Sequence, residues 1–318
     1  MAKSSDSKYK KKFTFDDLEL MLLSAPTVVW YIIFSYLPFV GIFLAFKDYR
    51  LSPGKNFFGS LIDSPWAGLS NFQFLFVRSD SAAILGKTVG YNLIFITLGV
   101  IVPVALAIMI SNLYSQRLGK VCQTMMFMPH FMSWVVVSYF VIAFLGSANG
   151  MIPRWMASMG MEPFNFYGQE GNKVWPFLLV FLNLWKTTGY NMVVYLATIT
   201  GIDSTYYEAA VIDGATKWQQ TTKITIPLMK QIIIIMFIMS VGRIFSSDFG
   251  LFYQATKNTT VLYPSTMTLD VLVYNSLMTM RNPAMAQAAA LFQSVCGCIT
   301  IIIANAIVTK IDSESAFF

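Results

Sequence analysis

Six stretches of this chain are long and apolar enough to cross a bilayer. A hydrocarbon core of roughly 30 Å takes about 20 apolar residues as helix. Residues 24–46, 88–112, 121–145, 174–200, 231–252 and 283–309 meet that length. Backbone in lipid has no water to bond and must satisfy its own polar groups, so each stretch is expected to be helical. Pro38, Pro103 and Pro129 are expected to kink three of them. Composition agrees: 56% of the 318 residues are hydrophobic and 12% charged, against about 25% charged in soluble domains. The expected class is an all-α integral membrane protein with six transmembrane helices.

Orientation follows from Lys and Arg in the flanks. Five lysines precede the first span, among them Lys8, Lys10, Lys11 and Lys12. Arg117 and Lys120 follow span two, and Lys217, Lys223 and Lys230 follow span four. With Lys310 these make eleven on one side against nine on the other. The dense N-terminal cluster therefore decides the sidedness. Both termini are expected on the cytoplasmic side of a multi-pass membrane protein. The +6 net charge is dispersed, so nucleic acid is not an expected partner. Residues 1–23 form an N-terminal segment before the membrane domain of residues 24–318. "FTFDDLELMLLS" within it reads either as an interfacial helix or as an extension of span one.

Catalytic sets are missing from the sequence. There is no G-x-x-x-x-G-K-[S/T] phosphate loop and a single histidine, His130. Cys122, Cys296 and Cys298 sit in apolar runs and are expected to pack rather than bind metal. No metal or cofactor is expected in this chain, and it is not expected to be an enzyme.

One polar segment interrupts the apolar pattern: "YYEAAVIDGATKWQQTTKITIPL", residues 206–228. Thr205 and Glu208 have capping-box spacing. Ala209 and Ala210 allow a neighbouring surface to approach closely. Asp213-Gly214 signals a turn, because glycine tolerates positive φ. A second short helix is expected near Thr216, with Pro227 at the start of the next span. Residues 203–230 should form a helix–turn–helix hook.

The hook resembles the EAA loop of permease subunits in binding-protein-dependent ABC importers. The matching residues are Glu208-Ala209-Ala210, Gly214, then Ile224-x-Ile226-Pro227, with Ile226 where the pattern has Leu. "LWKTTGYNMVVYLATI" is similar to the fourth-span signature of the carbohydrate-uptake branch, and "MPHFMSWVVVS", "SSDFGLFYQ", "ALFQSVCGCITIIIANAIVTKID" and the ending "SESAFF" are similar to its sub-branch serving complex oligosaccharides. The resemblance covers nearly the whole chain and implies a type I ABC importer permease. Its coupling residues would be Glu208, Ala209, Ala210, Asp213, Gly214, Ala215, Ile224 and Pro227. The implied partners are a second, different permease, two ATPase subunits holding ATP and Mg, an extracytoplasmic binding protein and an oligosaccharide. The alternative is an autonomous secondary carrier or channel for a polar solute, which leaves the hook unexplained.

Ionisable residues at membrane depth point by default to function. Lys186, with Tyr190 and Asn191 four and five positions on, offers charge, ring and amide to a sugar. Arg243 and Asp248 in span five would point about 140° apart on a straight helix. Each of these five either lines a substrate pathway or pairs structurally. Asn92, Asn183, Gln293 and Asn305 are expected mainly to bond between helices, and His130 to pack or to bond a carbonyl freed by Pro129.

Overall fold

A computed structural model describes residues 14–77, 80–147 and 149–311. The N-terminal lysine cluster and the ending "SESAFF" lie outside these residues. Helices dominate, and an antiparallel bridge, Lys47 to Trp66, is the one extended pairing among the described residues.

Helix α1, Phe15–Tyr31, continues through a π turn, Ile32–Tyr36, into a 3-10 run, Leu37–Phe46. The bonding pattern changes around Pro38, which lacks an amide hydrogen. The segment "FDDLELMLLS" is therefore continuous with the first apolar run, not a separate helix. Residues 18–39 are all exposed, so their apolar side chains require lipid or another protein chain to cover them.

Helix α2, Ser81–Ser111, passes through Pro103. Helix α3, Gln116–Phe127, runs into a 3-10 turn, Met128–Phe131, and the chain then bends by 98° into α4, Trp134–Leu145. The expected kink at Pro129 is thus a break. Ser133 restarts the helix by accepting the Val136 amide. Helix α5, Trp175–Thr200, is long enough to span but is not among the runs apolar enough to count as spans by composition.

The expected span at residues 231–252 is corrected. Its helix is already running at Lys217, through α7 (Lys217–Gln220) and a π turn (Thr221–Thr225) into α8 (Ile226–Val241), and it stops there. A turn and coil occupy residues 242–248. A Cβ on Gly242 would overlap Ile301, and one on Gly297 would lie 2.5 Å from the Gly242 carbonyl, so the backbones cross there at the closest approach glycine permits. The carbonyls freed by the break are taken by side-chain amides. Asn92 donates to Ile244 O (3.0 Å) and Ser246 O (2.9 Å), and Gln293 to Phe245 O (2.9 Å). Irregular backbone is tolerable at this depth because protein groups satisfy it. Helices α9, Leu269–Met280, and α10, Pro283–Ile311, are the last two among the described residues.

Among the described residues, four continuous runs are long and apolar enough to cross a membrane, or five counting the bent α3–α4 pair. The largest core packs α4 and α5 around Val137, Val141, Trp175 and Leu179, with Leu251 and Phe252 from the turn after the break. Cys122 is half-buried, but Cys298 is exposed, so the expected burial of all three cysteines does not hold for it.

Candidate functional site

The hook forms as two helices around a glycine. Helix α6 spans Ser204–Ile212. Its cap is not Thr205, as the spacing suggested, but Asp203, whose carboxylate accepts the Thr205 amide at 2.9 Å. An ionised acceptor at this position outcompetes a hydroxyl. Hydrogen bonds from Thr205, its backbone amide first and its side chain second, hold the Asp203 pKa below the usual carboxylate range. Thr205 therefore sits inside the first turn, and the expected Thr205–Glu208 box is replaced.

The C-terminus of α6 closes with paired reverse bonds. Gly214 N donates to Val211 O (3.0 Å) and Ala215 N to Ala210 O (2.8 Å), with Gly214 at φ +77°. This is the glycine-terminated helix end in which a left-handed residue lets two orphan carbonyls be satisfied. Thr216 then caps α7 reciprocally with Gln219, at the position expected. The Tyr207 hydroxyl meets Thr225 Oγ1 at 2.9 Å and ties α6 to the base of α8. Pro227 is the second residue of α8, and the π turn just before it absorbs the missing amide. Glu208 and Ala209 are exposed; Ala210, Ala215 and Ile224 are half-buried. Val211, Ile212 and Trp218 are 60, 86 and 75% exposed. Sequence reasoning passed over this apolar tip, although Ile212 and Trp218 in a polar loop were visible.

The second group of residues lies where α3, α4 and α5 meet the break. Lys186 on α5 donates to the His130 carbonyl at 2.9 Å. Its ammonium also lies 5.4 Å from the Trp134 ring centroid, within cation–π range. The Trp134 indole N–H donates to Asp248 Oδ2 at 2.6 Å. Trp134 can reach there because residue 250 is glycine; any Cβ would overlap its ring. Asp248 also accepts the Leu251 amide at 3.3 Å. Trp134 thus stands between a cation and an anion that form no ion pair with each other. Tyr190 stacks on His130, centroids 4.7 Å and planes 15° apart, and stays 46% exposed. His130 Nδ1 is buried without a hydrogen-bond partner among the described residues.

Of the five candidates for the pathway, Lys186, Tyr190 and Asp248 converge on this cluster. Asn191 turns elsewhere: its amide reaches the Gly99 carbonyl on α2 at 3.4 Å, the carbonyl freed by Pro103 four residues later. Arg243 is exposed, in the turn that ends α8; the straight-helix angle to Asp248 does not apply, because no helix joins them. Trp134, Gly250 and Gly189 were not foreseen. Gly189 lets α5 meet the α3 backbone, since its Cβ would overlap the Met126 carbonyl. Among the described residues no cluster of His, Cys, Asp and Glu could hold a metal.

Residues 96–313 match the family model described as binding-protein-dependent transport system inner membrane component. Protein LplB of Bacillus subtilis (strain 168) is 30% identical, over 95% of this chain and 92% of its own. The polygalacturonan/rhamnogalacturonan transport system permease protein YteP of the same organism is 29% identical, over 94 and 90%. In structure, the chain is similar to a bacterial ABC transporter involved in import of the acidic polysaccharide alginate, with TM-score 0.81 and 27% identity over 93% of this chain and 97% of that one. A second structure of a bacterial alginate ABC transporter, in complex with an alginate pentasaccharide-bound periplasmic protein, matches with TM-score 0.80 and 27% identity, over 93 and 96%.

Proposed function

The chain belongs to the family of binding-protein-dependent transport inner membrane components, and we propose that it is the permease subunit of an ATP-driven importer of oligosaccharides. As a family member it is a transport component, not an enzyme, and an integral membrane protein. The observation that carries the reading is the hook: Glu208-Ala209-Ala210, Gly214, Ile224 and Pro227 on two capped helices, with Val211, Ile212 and Trp218 left uncovered. A polar loop with an apolar tip needs a protein surface to cover that tip. We assign this surface to an ATPase subunit, two of which would bind ATP and Mg. The polysaccharide systems named for its relatives support a saccharide substrate.

In this reading a second, different permease completes the pathway, and a loaded extracytoplasmic protein delivers the sugar. Six spans cross the membrane, α5 among them, and it lines the pathway. The hook and both termini face the cytoplasm. ATP-driven closure of the ATPases pushes the hooks and reverses which side of the cavity is open. Lys186, Tyr190, Asp248 and Arg243 face the sugar, and Asn191 braces α5 against α2.

The test is copurification from mild detergent, then uptake in liposomes. The chain is expected to bring down a second permease and an ATPase, and uptake should require ATP and the loaded binding protein. A cysteine at Gln219 should label only from inside and one at Gly168 only from outside. Uptake by the chain alone under an ion gradient would overturn the assignment and favour a secondary carrier.

A further inference from the structure

The turn beyond the break carries a second group of rings. Phe249 and Tyr253 stack with centroids 4.8 Å and planes 25° apart. Tyr274, from α9, lies 4.8 Å from Phe249 and 4.9 Å from Tyr253. Its approach is fixed by Asp270, one turn earlier on α9, which accepts the Ser247 amide at 2.6 Å and the Ser247 hydroxyl at 2.8 Å. On the flank, Asn258 and Asn275 exchange hydrogen bonds at 2.9 and 3.2 Å.

The buried core beneath is filled by Leu251, Phe252 and Ala255. The three rings above it are only half-buried. Two are phenols, Tyr253 and Tyr274, whose side chains hydrogen-bond to each other; that bond uses one phenol proton and leaves the other, with the remaining lone pairs, on an aromatic platform. The group begins one residue past Asp248, hence beside Trp134 and Lys186. Helix α8, 16 residues from hook to break, spans about 24 Å, so the rings lie on the far side of the break from the hook.

We propose that Phe249, Tyr253 and Tyr274 form a second saccharide subsite, which holds a sugar ring of the chain whose next units lie at Lys186 and Tyr190. This rests on the transport reading above. The ring faces meet the C–H faces of a pyranose, and the phenols meet its hydroxyls. Trp134 and Asp248 connect the two groups, so a saccharide must be longer than a disaccharide to fill both. The subsite therefore favours long chains over short ones.

The experiment uses the whole importer in liposomes, its binding protein saturated in turn with labelled di-, tri- and hexasaccharides of galacturonate and of glucose. Uptake is normalised to assembled complex. Tyr253→Leu and Tyr274→Leu are expected to lower the ratio of hexasaccharide to disaccharide uptake about 3- to 10-fold. The double variant Tyr253→Phe/Tyr274→Phe keeps the packing and removes both hydroxyls; it should lower the ratio about 3-fold. An unchanged ratio in the double Phe variant together with an unchanged ratio, or failed assembly, in the Leu variants overturns the subsite. If the unaltered importer takes up none of these sugars, the saccharide reading itself falls, and the subsite with it.

Discussion

Trp134 and Asp248, 114 positions apart in sequence, share a hydrogen bond of 2.6 Å. It joins the first turn of α4 to the coil that follows α8, two segments that each begin at a break. A hydrogen bond to a charged acceptor contributes about 1.5–3 kcal/mol. Trp134→Phe and Asp248→Ala should each destabilise the purified complex, and the double variant by less than their sum. A double-mutant cycle on thermal unfolding should return a coupling of about 1–3 kcal/mol. Strict additivity would mean that the two segments are held together by other contacts.

Tyr190 lies parallel to both His130 and Phe127, centroids 4.7 and 6.3 Å away, and stays 46% exposed. Loss of a stacking face and one hydroxyl in Tyr190→Ala should reduce uptake per assembled complex about 5- to 150-fold, from about 1–3 kcal/mol. ATPase stimulation by the loaded binding protein should persist, because the hook is untouched. Unchanged uptake per complex, with a lower unfolding temperature, would assign Tyr190 to packing.

Two glycines should fail for opposite reasons. Gly214 has open space around it but φ +77°, so Gly214→Val should cost about 1–3 kcal/mol of backbone strain. The complex should insert and assemble, while ATPase stimulation and uptake fall together. Gly214→Asn, which tolerates the left-handed region, should retain most activity. At Gly189 the backbone is ordinary and the space is gone. Gly189→Ala must push α5 off α3 and should reduce assembly before any transport assay is reached. Membrane yield and size-exclusion profiles separate the two.

Asp203 makes the hook's first helix sensitive to acid. Its folded-state pKa lies below the ordinary carboxylate range because the Thr205 amide favours the charged form. The stabilisation is thus present above the unfolded-state value and is lost as pH falls through the folded one. Coupled ATPase activity should be indifferent to Asp203 ionisation near neutrality. Asp203→Asn, which caps without titrating, should resist acid better than the parent. Equal acid sensitivity of the two would place the labile group elsewhere.

Much of this protein was determined by local sequence. Apolar length marks the membrane runs, because a helix in lipid needs only its own backbone. The hook was legible from spacing, because Gly214, Thr216 and Gln219 act on neighbours within a few residues. The break at residues 242–248 was not legible. Residues 231–252 read as one span with Arg243 and Asp248 inside it, and the helix stops where Gly242 meets Gly297 and Ile301 on α10. It can stop there because Asn92 and Gln293, more than forty positions away on either side, take the freed carbonyls. Asn191 followed the same logic: next to Tyr190 in sequence, it answers the carbonyl that Pro103 leaves open on α2. Trp134 was anonymous among seven tryptophans until the fold set it between Lys186 and Asp248. Side-chain amides and rings have no period of their own, so only the tertiary structure decides which backbone or charge they meet.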